Sequence, residues 1–217
     1  MGYKEIQIVK NPKYLVITPL RPTDCITEYL DASIDLNSYP FDWIAYSGNN
    51  NIPLNTQKGL EAYCKLHRKP KYFIKVDNDI NFKTAVLDQM CDVLKESPKS
   101  IAYAYSGFAF KGSMNMRFGP DVFDIKRLKE NNYISSVSMI KTEAFEKVGG
   151  FVIDNRLVRL LDWAMWLKFY RYGFSGAPVI NAFFEAIVEG AGVSNGDAND
   201  FFKKKALVIK HFVEVLK

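Results

Sequence analysis

The chain has 217 residues, enough for one large α/β domain or two small ones. Its net charge of +5 rests on scattered lysines rather than a concentrated stripe, which argues against a nucleic-acid surface, and 48% apolar with 24% charged residues argues against disorder. No run approaches the roughly 20 apolar residues needed to span a bilayer, and Cys25, Cys64 and Cys91 lack metal spacing, as expected of free thiols in a reducing cytoplasm.

The first clear strand is YLVI at residues 14–17, stopped by Thr18 and Pro19. A helix follows over 23–36 with Thr23 or Asp24 as its cap. The run DWIAY at 42–46 is a second strand and ends in the turn-rich SGNNN. A helix over 56–66 leads to the third strand, YFIKV at 72–76, and then to Asp77, Asn78 and Asp79. The pattern continues with a helix over 83–95 and a strand over 101–110. Residues 111–120, rich in Gly, Met and Asn, read as a mobile loop, and 108–120 either order over a bound ligand, as lids do, or form a plain surface loop. Next come a strand over 134–140, a short helix over 142–148 and an amphipathic helix over 160–172. A last helix over 198–216 places Phe202, Ile209, Phe212 and Leu216 near one face, and its Lys203, Lys204 and Lys205 read as a solvated surface.

Strands alternating with helices predict an α/β fold: one domain with a mostly parallel central sheet flanked by helices. In such sheets ligands bind outside the carboxyl ends of the strands. That rule places residues 18–21, 47–51 and 77–79 on one rim.

The chemistry starts with VDND at the end of the third strand. Asp77 and Asp79, two residues apart, project toward one side and repel each other unless a cation lies nearby. A hard divalent ion that also binds diphosphate oxygens meets that need; a solvated turn uses the same residues without it. Asp162 stands on the first turn of the 160–172 helix, where the helix dipole favours its ionised form. Facing the rim, it could take the proton of an attacking hydroxyl; otherwise it is a first-turn acid without a chemical task. Trp163, Trp166 and Tyr170 recur at helical spacing and read as core.

The order of these pieces resembles the family-2 glycosyltransferases of the GT-A (Rossmann-like) fold over residues 14–178. Four stretches carry the likeness: YLVITPLRP at 14–22, NIPLNTQKGLEAY at 51–63, VDND at 76–79, and NNYISSVSMIKTEAFEKVGGF at 131–151 followed by LDWAMWLKFYRYGF at 161–174. The chain also resembles compact GT-A domains of longer glycosylation proteins, including those that some large algal viruses use on their capsids. The resemblance implies a nucleotide-binding half over about 1–110 and an acceptor-side half over about 111–217. It implies that Asp79 binds Mn2+ or Mg2+, and that Asp77 touches the metal or the nucleoside. Thr18, Pro19 and Arg21 would border the base and ribose, with Ser47, Asn49 and Asn78 completing donor binding. Asp162 would be the catalytic base. The implied reaction moves a hexose, glucose-like or rhamnose-like, from a UDP-sugar to a hydroxyl of a glycan or glycoprotein.

The departures are specific. Leu161 replaces the first member of the family's acidic pair, and Tyr46, Ser47 and Asn49 stand where acids usually hold the nucleoside. Thr56 and Gln57 replace a frequent Arg and Asn, and residues 189–194 occupy the region of a late metal-binding His. Retaining enzymes of this architecture share the Asp-x-Asp and need no base at Asp162, so the stereochemistry stays open. A nucleotidyltransferase would carry a Gly-rich basic loop, and TPLRPTD has no glycine. A nucleotide-sugar-binding module without turnover is the remaining alternative.

Overall fold

The computed structural model describes residues 2–112, 116–188 and 198–214. The YLVI run becomes β2 (Tyr14–Leu20), with all seven residues buried. It pairs in parallel with β3 (Phe41–Ser47) on one side and β4 (Tyr72–Lys75) on the other. An added strand, β1 (Gly2–Gln7), covers the outer edge of β3 in antiparallel register. Its largely exposed, charged side chains give it little of the alternation by which a half-buried strand is read.

Helix α1 (Glu28–Ile34) starts four to five residues later than the predicted cap. The capping residue is Thr27, whose Oγ1 accepts from the Leu30 N–H and donates to the Asn78 carbonyl at 2.6 Å. Asp24 is occupied elsewhere, accepting from both the backbone and the side chain of Arg21. Helix α2 (Ile52–Leu66) starts earlier than predicted, because Asn51 caps it and Pro53 fits its first turn.

The remaining strands form the second part of the sheet. They are β5 (Ile80–Phe82), β6 (Ile101–Gly112), β7 (Met116–Phe118), β8 (Ser138–Lys141) and β9 (Ser175–Val188). Between them lie α3 (Val86–Glu96), α4 (Ile125–Glu130), α5 (Thr142–Lys147) and α6 (Leu161–Arg171), with α7 (Ala198–Val208) last. Helix α7 continues as a π-helical turn over Ile209–Val213.

The strand order is β1-β3-β2-β4-β8-β6-β9-β5, with β7 on β6. Only β3/β2, β2/β4 and β6/β9 are parallel; the other described pairs are antiparallel. The sheet is therefore mixed rather than mostly parallel. A helical crossover enforces parallel pairing only between strands that become neighbours. Beyond β4, the neighbours β8, β6 and β9 are not consecutive in the chain.

Side-chain alternation splits the core between the two faces of the sheet. Leu15, Ile17, Ile44 and Phe73 face α2, α5 and α6, whereas Tyr14, Val16, Trp43 and Ile74 face α1 and α3. Trp163 and Trp166 lie in the first of these clusters, as the helical spacing indicates. Their indole N–H groups donate to the Leu128 and Ile134 carbonyls. On the last helix, Phe201, Val208, Ile209 and Phe212 pack inward, whereas Phe202 is 64% exposed, rotated one residue off the packed face. Lys204 pairs with Asp200 at 2.6 Å, and Lys205 donates to Asn131. The expected loop over 111–120 is, in its described residues, a hairpin in which β7 pairs with β6. Residues 113–115, the region 189–194 and Leu216 lie outside the described residues.

Candidate active site

The carboxyl ends of β2 and β4 open into a cavity of about 1480 Å³. Pro19, Arg21, Asn49, Asp77, Asn78, Asp79 and Asp162 all line it. Residues 143 positions apart at the extremes thus meet in one space, although no local motif joins them.

The loop after β3 is shaped by Asn55, which is 1% exposed on α2. Its Nδ2 donates to the Leu20 and Asn49 carbonyls, and its Oδ1 accepts from the Asn49 N–H. A side chain at Gly48 would meet that Oδ1 at 2.3 Å, so glycine is required there. Asn49 is thereby fixed on the rim, its own Oδ1 accepting from the Asn51 N–H. Arg21 reaches Asp24 at 2.9 Å and is half exposed on the same rim.

Two of the proposed donor contacts stand apart. Thr18 is fully buried beneath the sheet, its Oγ1 accepting from the Trp43 indole at 3.0 Å, and it does not line the cavity. Ser47 lies outside the lining as well and donates weakly to the Arg21 carbonyl. Both follow from strand alternation: successive side chains point to opposite faces, so a residue at a strand's end need not face the ligand.

Asp77 and Asp79 differ in partners. Asp77 forms an ion pair with Lys75, a buried lysine on β4. Asp79 opens onto the cavity, yet the surrounding protein limits its hydration, and the charge of Asp77 adds repulsion. Together these push its carboxyl up to about 6, with Lys75 and Arg21 opposing. A divalent cation beside Asp79 would relieve both penalties. Among the described residues no group of three or more His, Cys, Asp or Glu could hold a metal. Two carboxylates suffice where substrate phosphates and waters supply the remaining ligands, the usual arrangement for Mg2+. The donor chemistry of Asp77 and Asp79 would therefore suit a divalent ion.

Asp162 sits on the first turn of α6, where its Oδ2 accepts from Asn132 Nδ2 at 2.9 Å. Burial pushes its carboxyl up to about 6, opposed by the Trp163 N–H, by Lys75 and by the Asn132 amide. A carboxylate with that affinity for protons can accept one from a hydroxyl near neutral pH. The segment before it is anchored by Gly149 and Gly150, both at positive φ after α5, and by Gln57, whose Oε1 accepts from the Phe151 N–H.

Lys75, Asn132 and Asn55 contact or position candidate site residues and were not singled out from the sequence. Lys75 carried a usable signal, a lone charge in an otherwise apolar strand beside the acidic motif. Asn132 gave none, since its partner Asp162 is distant in the chain, and Asn55 gave none because its bonds to Asn49 and Leu20 depend on how the loop after β3 folds back onto α2.

With this geometry the fold can be compared with solved structures. S. aureus TarS 1–349 in complex with UDP-GlcNAc superposes with a TM-score of 0.62 at 15% identity, over 90% of this chain and 65% of that one. The mannosyltransferase PcManGT from Pyrobaculum calidifontis, in complex with GDP-Man and Mn2+, gives 0.52 at 14% identity, over 92% and 70%. The chain has the GT-A fold. It spans just under two thirds of the TarS 1–349 chain. No protein-family model and no curated protein matches the sequence. No helix among the described residues is long and apolar enough to cross a membrane.

Proposed function

We propose that the chain is a metal-dependent glycosyltransferase that moves a hexose from a UDP-sugar to a hydroxyl of a glycan or glycoprotein. The observation that carries this reading is the meeting of Asp77, Asp79 and Asp162 in one cavity at the carboxyl ends of parallel strands. The neighbours' bound UDP-GlcNAc, and GDP-Man with Mn2+, support a nucleotide-sugar donor and a divalent ion.

In this reading Pro19, Arg21 and Asn49 border the nucleoside, and the diphosphate lies toward Asp79. A bound Mn2+ or Mg2+ supplies Lewis-acid stabilisation of the charge that builds on the departing diphosphate. Asp79 would hold that ion, with Asp77 in support and Lys75 balancing Asp77. Asp162 takes the proton from the acceptor hydroxyl as its oxygen attacks the anomeric carbon, and Asn132 holds the carboxylate in place. Residues from 1 to about 110 supply the nucleotide side and those from about 110 onward the acceptor side. The three free cysteines suit a reducing cytoplasm.

Isothermal titration with UDP, with and without Mn2+, tests the donor site. The expected outcome is Mn2+-enhanced binding that is lost on Asp79→Ala. UDP affinity that is the same in EDTA would remove the metal from the scheme.

A further inference from the structure

The part of the sheet that follows Asp79 has two chemically opposed faces. Across β5, β9, β6 and β7 the register aligns Phe82, Phe184, Phe108 and Phe118 in one row, and Ile80, Ala186, Phe110 and Met116 in the next. Residues two apart on a strand share a face, so both rows lie on the same side. The intervening row, Asn81, Glu185, Ala109 and Arg117, lies on the other side, where Lys83 and Lys111 pair with Glu185.

The aromatic face runs from the core into the cavity. Phe82 and Phe184 are buried to within 1% exposure, Phe108, Phe110 and Phe118 are half-buried, and Met116 at the outer end is 49% exposed. Phe108 stacks on Phe118 at 4.8 Å and on Phe184 at 5.9 Å, and Phe110 meets both Phe108 and Phe118 edge-on. The shelf begins beside Asp79, whose carbonyl accepts from the Ile187 N–H at 2.8 Å. Phe108, Phe110 and Phe118 all line the cavity that contains Asp79 and Asp162.

We propose that Phe110 and Phe118 form an acceptor subsite that binds the C–H face of a pyranose ring. This rests on the glycosyltransferase reading and names the acceptor class for it. A donor is anchored by its charged diphosphate, but a neutral acceptor must draw its affinity from uncharged surface, and an aromatic shelf supplies it. A pyranose is apolar on its faces and polar around its rim, and the same cavity carries Asn131, Asn132 and the carboxylates. A lipid chain would strip hydration from the carboxylates that line the same cavity, Asp79 among them. The gradient of exposure, from Phe82 out to Met116, lets an acceptor larger than the cavity extend into solvent.

The test uses saturation-transfer NMR with methyl pyranosides in the presence of UDP and Mn2+. Saturation should concentrate on the C–H protons of one ring face. Phe110→Ala and Phe118→Ala should each weaken glycoside binding about tenfold. Phe118→Tyr should retain it, and UDP affinity should stay within about twofold in all three. Glycoside binding unchanged by both alanine variants would overturn the proposal, as would an equal loss of UDP affinity. Wild-type protein that binds decanol but no glycoside would overturn it in favour of a lipid acceptor. Should glycosides bind through the two rings while UDP does not bind, the subsite stands and the UDP-dependent reading fails.

Discussion

The two parts of the sheet reach the same cavity by different routes. In the β3-β2-β4 part, strands alternate with α1 and α2 and neighbours are parallel, so chain order and spatial order nearly coincide. In the β8-β6-β9-β5 part, with β7 on β6, most pairs are antiparallel and join segments far apart in the chain. The first part delivers Asp77 and Asp79 at the tip of β4. The second part and α6 deliver the aromatic shelf and Asp162. Local, sequential structure thus positions the donor-side acids, and long-range pairing positions the groups that would meet an acceptor.

If this division holds, changes on the α6 side should spare nucleotide binding and abolish transfer. Asp162→Asn should reduce transfer by about 10²-fold or more while UDP affinity, read by titration, stays unchanged. Undiminished transfer would remove Asp162 as the base. The same variant should melt no lower than the parent at pH 8. Folding raises the proton affinity of Asp162, so this side chain contributes stability below the ordinary carboxylate range and loses it as pH rises through about 6.

A pH profile sharpens the comparison further. Transfer should fall about tenfold per pH unit below about 6, because Asp162 must be ionised to accept a proton. The affinity for Mn2+-UDP should weaken over the same range as Asp79 protonates. In Asp79→Ala the Mn2+ enhancement of UDP binding should be absent at every pH between about 5 and 7, leaving only the change that the ionisation of UDP's own terminal phosphate at about pH 6 produces.

Smaller effects belong to supports on the donor side. Asn55→Ala removes two hydrogen bonds to Asn49 and one to the Leu20 carbonyl and should cost about 2 kcal/mol, measured by denaturant titration. It should also weaken UDP binding if Asn49 borders the nucleoside. Thr18→Val should cost about 1 kcal/mol by leaving the Trp43 indole N–H without its acceptor. UDP affinity should not change in that variant; a clear loss would return Thr18 to the donor site.

Much of the donor side was legible. The β2, β3 and β4 strands announce themselves through compact apolar runs, and the Asp-x-Asp follows the last of them directly. The helix caps were less so: Thr27 rather than Thr23 starts α1, because Asp24 already serves Arg21 and Thr27 reaches the Asn78 carbonyl. On the acceptor side, β9 escaped notice although it is 14 residues long. Its sequence, SGAPVINAFFEAIV, mixes Gly, Pro and Asn with apolar residues, and its identity as a strand comes from pairing with β6. The aromatic shelf was invisible for the same reason, since Phe108, Phe118 and Phe184 fall into one row only once three strands are in register.

By itself the sequence determined the alternating α/β character, the acidic pair at the end of β4, and the buried tryptophan stripe of α6. These depend on spacings of a few residues, where backbone geometry leaves little choice. Tertiary structure alone decided the mixed direction of the sheet, the withdrawal of Thr18 from the cavity and the approach of Asp162 to Asp79's cavity. Each of these depends on which distant segments find one another, and that is settled by the burial of shared apolar faces rather than by any local pattern.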